Sequence, residues 1–214
     1  MIWLSLKTYP ESTADKVIKL LKIVKKVSAK NNVPIIPCAQ ATDIFRIKKE
    51  LGIEVWAQHC DPIDPGRNSG WISPHSLKQA GATGTVLNHG EHPIKLSTIK
   101  VSLEKAHQHG LKTLVICETT QQAKKVSLWK PKYIAYEKAK LIAGPISMID
   151  VEESNIKKLA KTLPQPLIVG AGITSKEHVS KTLAAGGKGV ILASAVIKAL
   201  SPEKKLLELA SGFN

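Results

Sequence analysis

The chain has 214 residues, enough to bury a full hydrophobic core, and its composition of 43% hydrophobic and 22% charged residues is that of a globular protein rather than a disordered one. It has 31 basic and 17 acidic residues. The net charge of +14 is typical of solvated lysines on the outer faces of helices, and the alternative is an attraction for anions such as a phosphorylated metabolite or nucleic acid. Aromatic residues make up only 4% and are not interleaved with the lysines, so a surface that stacks nucleic-acid bases is not expected.

Three cysteines are present, Cys38, Cys60 and Cys117. Their odd number and the lack of Cys-x-x-Cys spacing argue against a disulfide framework or a zinc ribbon, and are typical of a reducing compartment. The sequence shows no signal peptide and no apolar run long enough to span a membrane. We therefore expect a cytoplasmic protein with no membrane partner.

The first half of the chain alternates short apolar runs with amphipathic helical patterns. A strand at residues 2–6 precedes a helix that Ser12 or Thr13 caps and that ends at Asn31 and Asn32. A strand, a helix and a strand are then predicted at residues 33–38, 42–51 and 54–57. A longer loop at 60–72, a helix at 74–80 and a strand at 84–87 complete this half.

The same alternation continues through the second half. A helix at 96–109, a strand at 112–117, a helix at 119–128 and a strand at 132–136 come first. After a loop at 138–151, the elements are a helix at 152–163, a strand at 166–169, a helix at 175–185 with Thr174 or Ser175 as its cap, and a strand at 188–192. Two helices, at 195–200 and 202–210, end the pattern.

Eight strand–helix units in one chain predict an α/β fold with a parallel sheet that closes into a (β/α)8 barrel, with residues 1–214 as a single domain. The alternative is an open doubly wound sheet. That fold favours a glycine-rich turn after the first strand, and the residues found there, 7–10, are Lys-Thr-Tyr-Pro.

Polar residues at the ends of four strands predict an active site. Lys7, His89 and Glu137 follow strands 1, 4 and 6, and Ser194 follows strand 8. A glutamate, a neutral histidine and a lysine around one cavity suit proton abstraction beside a carbonyl group. The turn at 170–172, Gly-Ala-Gly, precedes a helix, so it is interpreted as an anion cradle, or more simply as a tight turn.

A metal site is not expected. His59, Cys60 and Asp61 resemble metal ligands, but adjacent residues on a strand point to opposite faces. His89 and His92 lack a third ligand nearby in the sequence.

Six short segments, in the right order and at the right strand ends, resemble triosephosphate isomerase, in particular its short archaeal type, over nearly the whole chain. The segments are Leu6-Lys7-Thr8-Tyr9, Ala57-Gln58-His59-Cys60-Asp61-Pro62-Ile63, Leu87-Asn88-His89-Gly90-Glu91, Ala135-Tyr136-Glu137, Gly170-Ala171-Gly172-Ile173 and Leu192-Ala193-Ser194.

The resemblance implies an enzyme that interconverts glyceraldehyde 3-phosphate and dihydroxyacetone phosphate without a metal or an organic cofactor. Glu137 matches the family's proton-shuttling base, His89 its electrophile, Lys7 its substrate-contacting lysine and Glu91 the nearby acid. The residues that match substrate-binding positions are Ser5, Lys7, Ile142, Gly172, Ala193 and Ser194. The loop at 60–72 matches the family's interface loop, which implies a homodimer or a homotetramer.

The chain departs from the family in two places. Ser5 stands where the family has asparagine, and one fewer preorganised donor lowers the rate. Lys138 replaces the proline that follows the glutamate in the family. The lid ends in Ala143-Gly144-Pro145 instead of Gly-Thr-Gly, so an alanine, for which a positive φ is unfavourable, replaces the first glycine. The alternative interpretations are a divergent homologue that binds a phosphate ester with weak or no isomerase activity, and another phosphate-binding barrel enzyme. The latter leaves His89 and Glu137 unexplained.

Overall fold

The computed structural model describes residues 1–214, and its eight parallel strands close into a barrel in sequence order. Each strand pairs with the next, and the first pairs with the last, with Ile2 opposite Val190. The strands are β1 Ile2–Ser5, β2 Ile35–Ala39, β3 Trp56–Ala57, β4 Gly84–Leu87, β5 Lys112–Cys117, β6 Tyr133–Tyr136, β7 Leu167–Gly170 and β8 Gly189–Leu192. The predicted (β/α)8 barrel is confirmed.

Helices cover the outside of the barrel, as right-handed crossovers between parallel strands require. They are α1 Asp15–Asn31, α2 Ala41–Leu51, α3 Pro74–Gln79, α4 Leu96–Gln108, α5 Thr120–Ser127, α6 Met148–Thr162, α7 Lys176–Ala184, α8 Ser194–Ile197 and α9 Pro202–Ser211. No helix combines the length and the apolar character that crossing a membrane would need.

Successive side chains of each strand point alternately into the barrel and towards the helices, which divides the core into two parts. Trp3 and Trp56 point into the barrel, where their rings meet edge to face with centroids 4.4 Å apart. Gly84 lies against this pair, since a Cβ there would come within 2.5 Å of the Trp56 ring. The larger core, to which Leu4 and Tyr136 belong, lies between the barrel and the helices. On β1 and β6, residues facing the barrel interior therefore alternate with residues facing the helices.

The structure corrects three of the predicted helix boundaries. Helix α1 begins at Asp15 and its N-cap is Ala14, because the Ser12 hydroxyl instead donates to the Leu6 carbonyl at 2.6 Å within a short 3₁₀ turn. Helix α6 begins at Met148, four residues earlier than predicted. Helix α8 is shorter than the predicted 195–200. The cap of α7 is Ser175, one of the two predicted residues, which accepts from the His178 N–H.

Candidate functional site

A cleft of about 280 Å³ opens at the carboxyl ends of the strands. It brings together almost all the residues that the sequence predicts for the site, namely Ser5, Lys7, His89, Glu137, Ile142, Gly172, Ala193 and Ser194. Glu91 lines an adjoining cavity of about 290 Å³ that shares Lys7 and His89 with the cleft. Side chains from distant parts of the chain thus meet where a small molecule can contact them.

Lys7 is held in an unusual backbone conformation at the end of β1, with φ at +49°. The Gln58 side-chain amide donates to the Lys7 carbonyl at 2.9 Å and to the Cys38 carbonyl at 3.1 Å, which stabilises this turn. The Lys7 ammonium forms an ion pair with Glu91. Sequence reasoning missed the role of Gln58, although the residue lies within one of the segments that resemble the family.

His89 is arranged as a neutral hydrogen-bond donor. The backbone N–H of Glu91 donates to its Nδ1 at 3.1 Å, so Nδ1 carries no proton and the ring proton lies on Nε2. Burial lowers the pKa of His89, and the positive charge of Lys7 lowers it further, whereas Glu91 raises it. Nε2 lies 3.7 Å from Oε1 of Glu137. The imidazole can therefore polarise a carbonyl oxygen placed beside it.

Glu137 follows β6 and projects into the cleft, with only 6% of the residue exposed. Burial raises its pKa to about 7, although Lys7 and a hydrogen bond from the Ala171 N–H favour the ionised form. Its Oε1 has no hydrogen-bond partner within the protein. Gly170 leaves space for this carboxylate, because a Cβ there would collide with Oε2. A buried carboxylate with one oxygen free of hydrogen bonds is suited to accept a proton near neutral pH.

Free backbone N–H groups line the part of the cleft that follows β7 and β8. Ala171 and Gly172 both have positive φ, at +66° and +68°, and the N–H groups of Gly172 and Ile173 make no hydrogen bond within the chain. At the start of α8, the first intrahelical bonds come from residues 196 and 197, which leaves the N–H groups of Ser194 and Ala195 free. Successive unpaired N–H groups favour a bound anion such as a phosphate.

Residues 138–145, which match the lid of the family and are called the lid here, follow Glu137 directly, and the lid residues Ile142, Ala143 and Gly144 line the cleft. The lid packs against Gly90, where a Cβ would come within 2.9 Å of Cδ1 of Ile142. The N–H of Ile142 donates to the Ala139 carbonyl at 3.1 Å, whereas that of Ala143 makes no hydrogen bond within the chain. Ala143 adopts φ of +56°, despite the expectation that alanine disfavours it. Ile142 therefore contributes its side chain to the cleft wall, and Ala143 carries the free donor.

No group of three or more His, Cys, Asp or Glu side chains is placed to hold a metal ion. The donors around the cleft are a lysine, a histidine, backbone N–H groups and the hydroxyls of Ser5, Thr174 and Ser194. The arrangement can bind an anion at one side and transfer a proton at the other.

Comparisons with known proteins agree with this geometry. The family model described as triosephosphate isomerase matches residues 1–211. Curated sequences named triosephosphate isomerase include one from Methanobacterium bryantii, 35% identical over 99% of this chain and 96% of its own length. Another, from Saccharolobus solfataricus, is 35% identical over 95% of this chain and 92% of its own length.

A solved structure described as triosephosphate isomerase from Bartonella henselae has the same fold. It superimposes with a TM-score of 0.73, covers 99% of this chain and 96% of its own, and is 16% identical in sequence. The family match extends over nearly all of the chain, and the two archaeal relatives are each about one-third identical to it. On this evidence, the chain belongs to the triosephosphate isomerase family.

Proposed function

We propose that the chain interconverts glyceraldehyde 3-phosphate and dihydroxyacetone phosphate by proton transfer, through Glu137, between the two adjacent substrate carbons that carry the carbonyl and the hydroxyl oxygen. The observation that carries this proposal is the buried Glu137 carboxylate, with its pKa near 7, 3.7 Å from the protonated Nε2 of a neutral His89. A base and a hydrogen-bond donor at this spacing can act on adjacent atoms of one substrate.

The proposed reaction begins when Glu137 removes a proton from the carbon next to the carbonyl. The electron pair of that C–H bond forms a carbon–carbon double bond, and the carbonyl oxygen gains negative charge. His89 Nε2–H donates to this oxygen and the Lys7 ammonium stabilises it. Proton exchange between the two substrate oxygens and return of the proton from Glu137 to the neighbouring carbon complete the isomerisation.

Supporting roles follow from the contacts of the remaining site residues. Glu91 fixes the His89 tautomer through its backbone N–H and pairs with Lys7 through its carboxylate. The substrate phosphate is assigned to the free N–H groups of Gly172 and Ser194, with the Ala193 backbone beside them. Isomerisation in D2O tests this scheme, because a base that exchanges its proton with solvent will place deuterium on the substrate carbon. Isomerisation that places no deuterium on the product carbon would argue against proton transfer through Glu137 and for a direct hydride shift between the two carbons.

The activity is expected to rise with pH through about 7. Glu137 accepts a proton only when ionised, and burial raises its pKa to about 7, so the active fraction grows as pH increases through that value. His89 stays neutral there because burial lowers its pKa. The measurement is kcat/KM across this range, with the Kd for phosphoglycolate measured in parallel, since a phosphate ester such as the substrate ionises near pH 6. A flat kcat/KM between about pH 6 and 8 would contradict the assignment.

Ser5→Asn is expected to raise kcat/KM by about 10-fold, because one preorganised donor at a developing negative charge has an effect of at least this order. Ser5 is buried and lines the cleft at the end of β1, where a longer amide would reach a substrate oxygen directly. Steady-state kinetics on Ser5→Asn and on the control Ser5→Ala check this. Lower activity in Ser5→Asn than in Ser5→Ala would show that the cleft is shaped around serine.

We further propose that the chain assembles as a homodimer or a homotetramer through the loop at 60–72. The Asp61 carboxylate accepts the Ile72 N–H at 2.7 Å and closes the base of this loop, while Trp71 remains 57% exposed. Exposed large apolar side chains of this kind favour association. Light scattering is expected to give at least twice the mass of one 23.2 kDa chain. A monomeric mass at micromolar concentration would contradict the assembly.

A cytoplasmic location and a single domain are also proposed. Cys38, Cys60 and Cys117 are buried free thiols, which supports a reducing compartment. Pairing of β1 with β8 joins the two ends of the barrel, which supports one cooperative unit over residues 1–214. Fractionation of the native cells and a single thermal unfolding transition test these two statements, and membrane association or two separate transitions would contradict them.

A further inference from the structure

Tyr136 and Lys138 flank Glu137, and their side chains point to the opposite side of the strand from the Glu137 side chain. Ala135 belongs to the core inside the barrel and Tyr136 to the core between the barrel and the helices. Side chains alternate along this strand, so Glu137 points into the cleft while Tyr136 and Lys138 face the helix layer. Contacts that fix the side chains of Tyr136 and Lys138 therefore also fix the backbone position of Glu137.

A single carboxylate, that of Glu152, binds both flanking residues. The Tyr136 hydroxyl donates to its Oε2 at 2.9 Å, and the Lys138 ammonium forms an ion pair with its Oε1. Asn155, one turn later on α6, donates to Oε2 at 2.7 Å. The Glu152 side chain is only 12% exposed. Three donors, one each from β6, the lid and α6, thus converge on one largely buried acceptor.

Glu152 also lies where the segment after the lid joins the main part of α6. Its backbone angles, φ −125° and ψ 16°, interrupt the helix and separate the first turn, residues 148–151, from the rest. Lys138 is the first residue of the lid. The Lys138–Glu152 ion pair consequently connects the start of the lid with the helix that follows it.

We propose that Glu152 is a positioning residue, which clamps the end of β6 through Tyr136 and Lys138 and thereby fixes the Glu137 carboxylate and the start of the lid. This inference rests on the proposed role of Glu137. It also gives a role to the lysine that stands where the family has proline, because Lys138 supplies the charge that a buried Glu152 requires.

The charge balance around Glu152 supports a permanent clamp. Burial alone would raise its pKa, but hydrogen bonds from Asn155, Lys138 and Tyr136 bring it below the ordinary value for glutamate. The carboxylate therefore stays ionised, and keeps its three donors, throughout the pH range in which Glu137 titrates.

The test compares Glu152→Gln, Lys138→Met and the double variant with the wild type and with Glu153→Gln. Glu153 is the matched control, since it is the next residue on α6, is exposed and pairs only with Lys157. We expect Glu152→Gln and Lys138→Met each to lower kcat about 10-fold with a smaller change in KM, because small displacements of a catalytic group are costly. The double variant should be no slower than the slower single variant, and Glu153→Gln should match the wild type.

The pH profile separates this role from a merely structural one. Lys138→Met leaves the negative charge of Glu152 unpaired behind the strand end that carries Glu137 and should move the rise in activity to higher pH. Glu152→Gln leaves the positive charge of Lys138, the next residue after Glu137, and should move it to lower pH. If Glu152→Gln does not fold, Tyr136→Phe removes a single donor and should lower kcat by a smaller factor. Unchanged kcat and pH profiles in the soluble variants of an active wild type would overturn the clamp, whereas an inactive wild type would overturn the proposed function instead.

Discussion

Glu137→Gln is expected to lower kcat on glyceraldehyde 3-phosphate by on the order of 10³-fold, because the amide cannot accept the proton that the carboxylate removes. The substitution preserves the size and shape of the side chain, so the cleft and its phosphate donors should be retained. The measurement is a coupled assay of kcat and KM, together with the Kd for inorganic phosphate. An activity within tenfold of the wild type would show that another group is the base.

The stability of Glu137→Gln is an internal control for this experiment. Burial raises the pKa of Glu137 in the folded state to about 7, so the ionised carboxylate destabilises the folded state. This destabilisation grows as the pH rises from the pKa of Glu137 in the unfolded chain through about 7. Glutamine carries no charge. The variant is therefore expected to melt at the same temperature as the wild type, or higher, above pH 7, so that lost activity cannot be attributed to unfolding.

Lys7→Met is expected to lower kcat/KM by on the order of 10³-fold, because it removes the positive charge that faces the developing oxyanion. Lys7 acts on both of the other proposed catalytic groups, since its charge lowers the pKa of His89 and of Glu137. Its loss should therefore also move the rise in activity to higher pH. Kinetics across pH will show both effects.

Lys26→Met is the control for Lys7→Met, since Lys26 is an exposed lysine of α1 that pairs with Glu203 at 2.8 Å. It removes the same charge and should leave kcat/KM unchanged. Equal losses in the two variants would show that the net charge of +14, rather than the position of Lys7, attracts the substrate.

Much of the barrel and its cleft could be predicted from the sequence because both depend on local patterns. A buried parallel strand is a short apolar run, and the residue that follows it must lie at the carboxyl edge of the sheet. Lys7, His89 and Glu137 each follow such a run, and the structure places all three on one cleft. Knowing the strand ends was sufficient to predict that these residues meet.

The contacts that hold these groups in place could not be predicted in this way. Gln58 stabilises the Lys7 turn from 51 residues away, and Glu152 reaches Tyr136 across the lid. Such bonds depend on three-dimensional packing and leave no periodic signal. Conformational preferences of residue types also fail as predictors where tertiary contacts override them. Ala143, for example, adopts a positive φ that alanine disfavours.

The start of α1 shows the same limit at a helix end. Ser12 is a favoured N-cap residue by type, but its hydroxyl is already bonded to the Leu6 carbonyl, and the helix begins later, at Asp15. The start of α6 was missed because Met148 and the residues after it form a separate first turn ahead of Glu152. Both boundaries lie in the loops that lead from a strand of the barrel into the following helix.

The most direct test of the central claim is turnover of glyceraldehyde 3-phosphate by the purified chain and by Glu137→Gln, with phosphoglycolate binding measured for both. The account predicts robust turnover by the wild type, almost none by Glu137→Gln, and phosphoglycolate binding by each. Tight phosphoglycolate binding by a wild type that shows no turnover would contradict it, and would indicate a barrel that binds a phosphate ester without isomerising it.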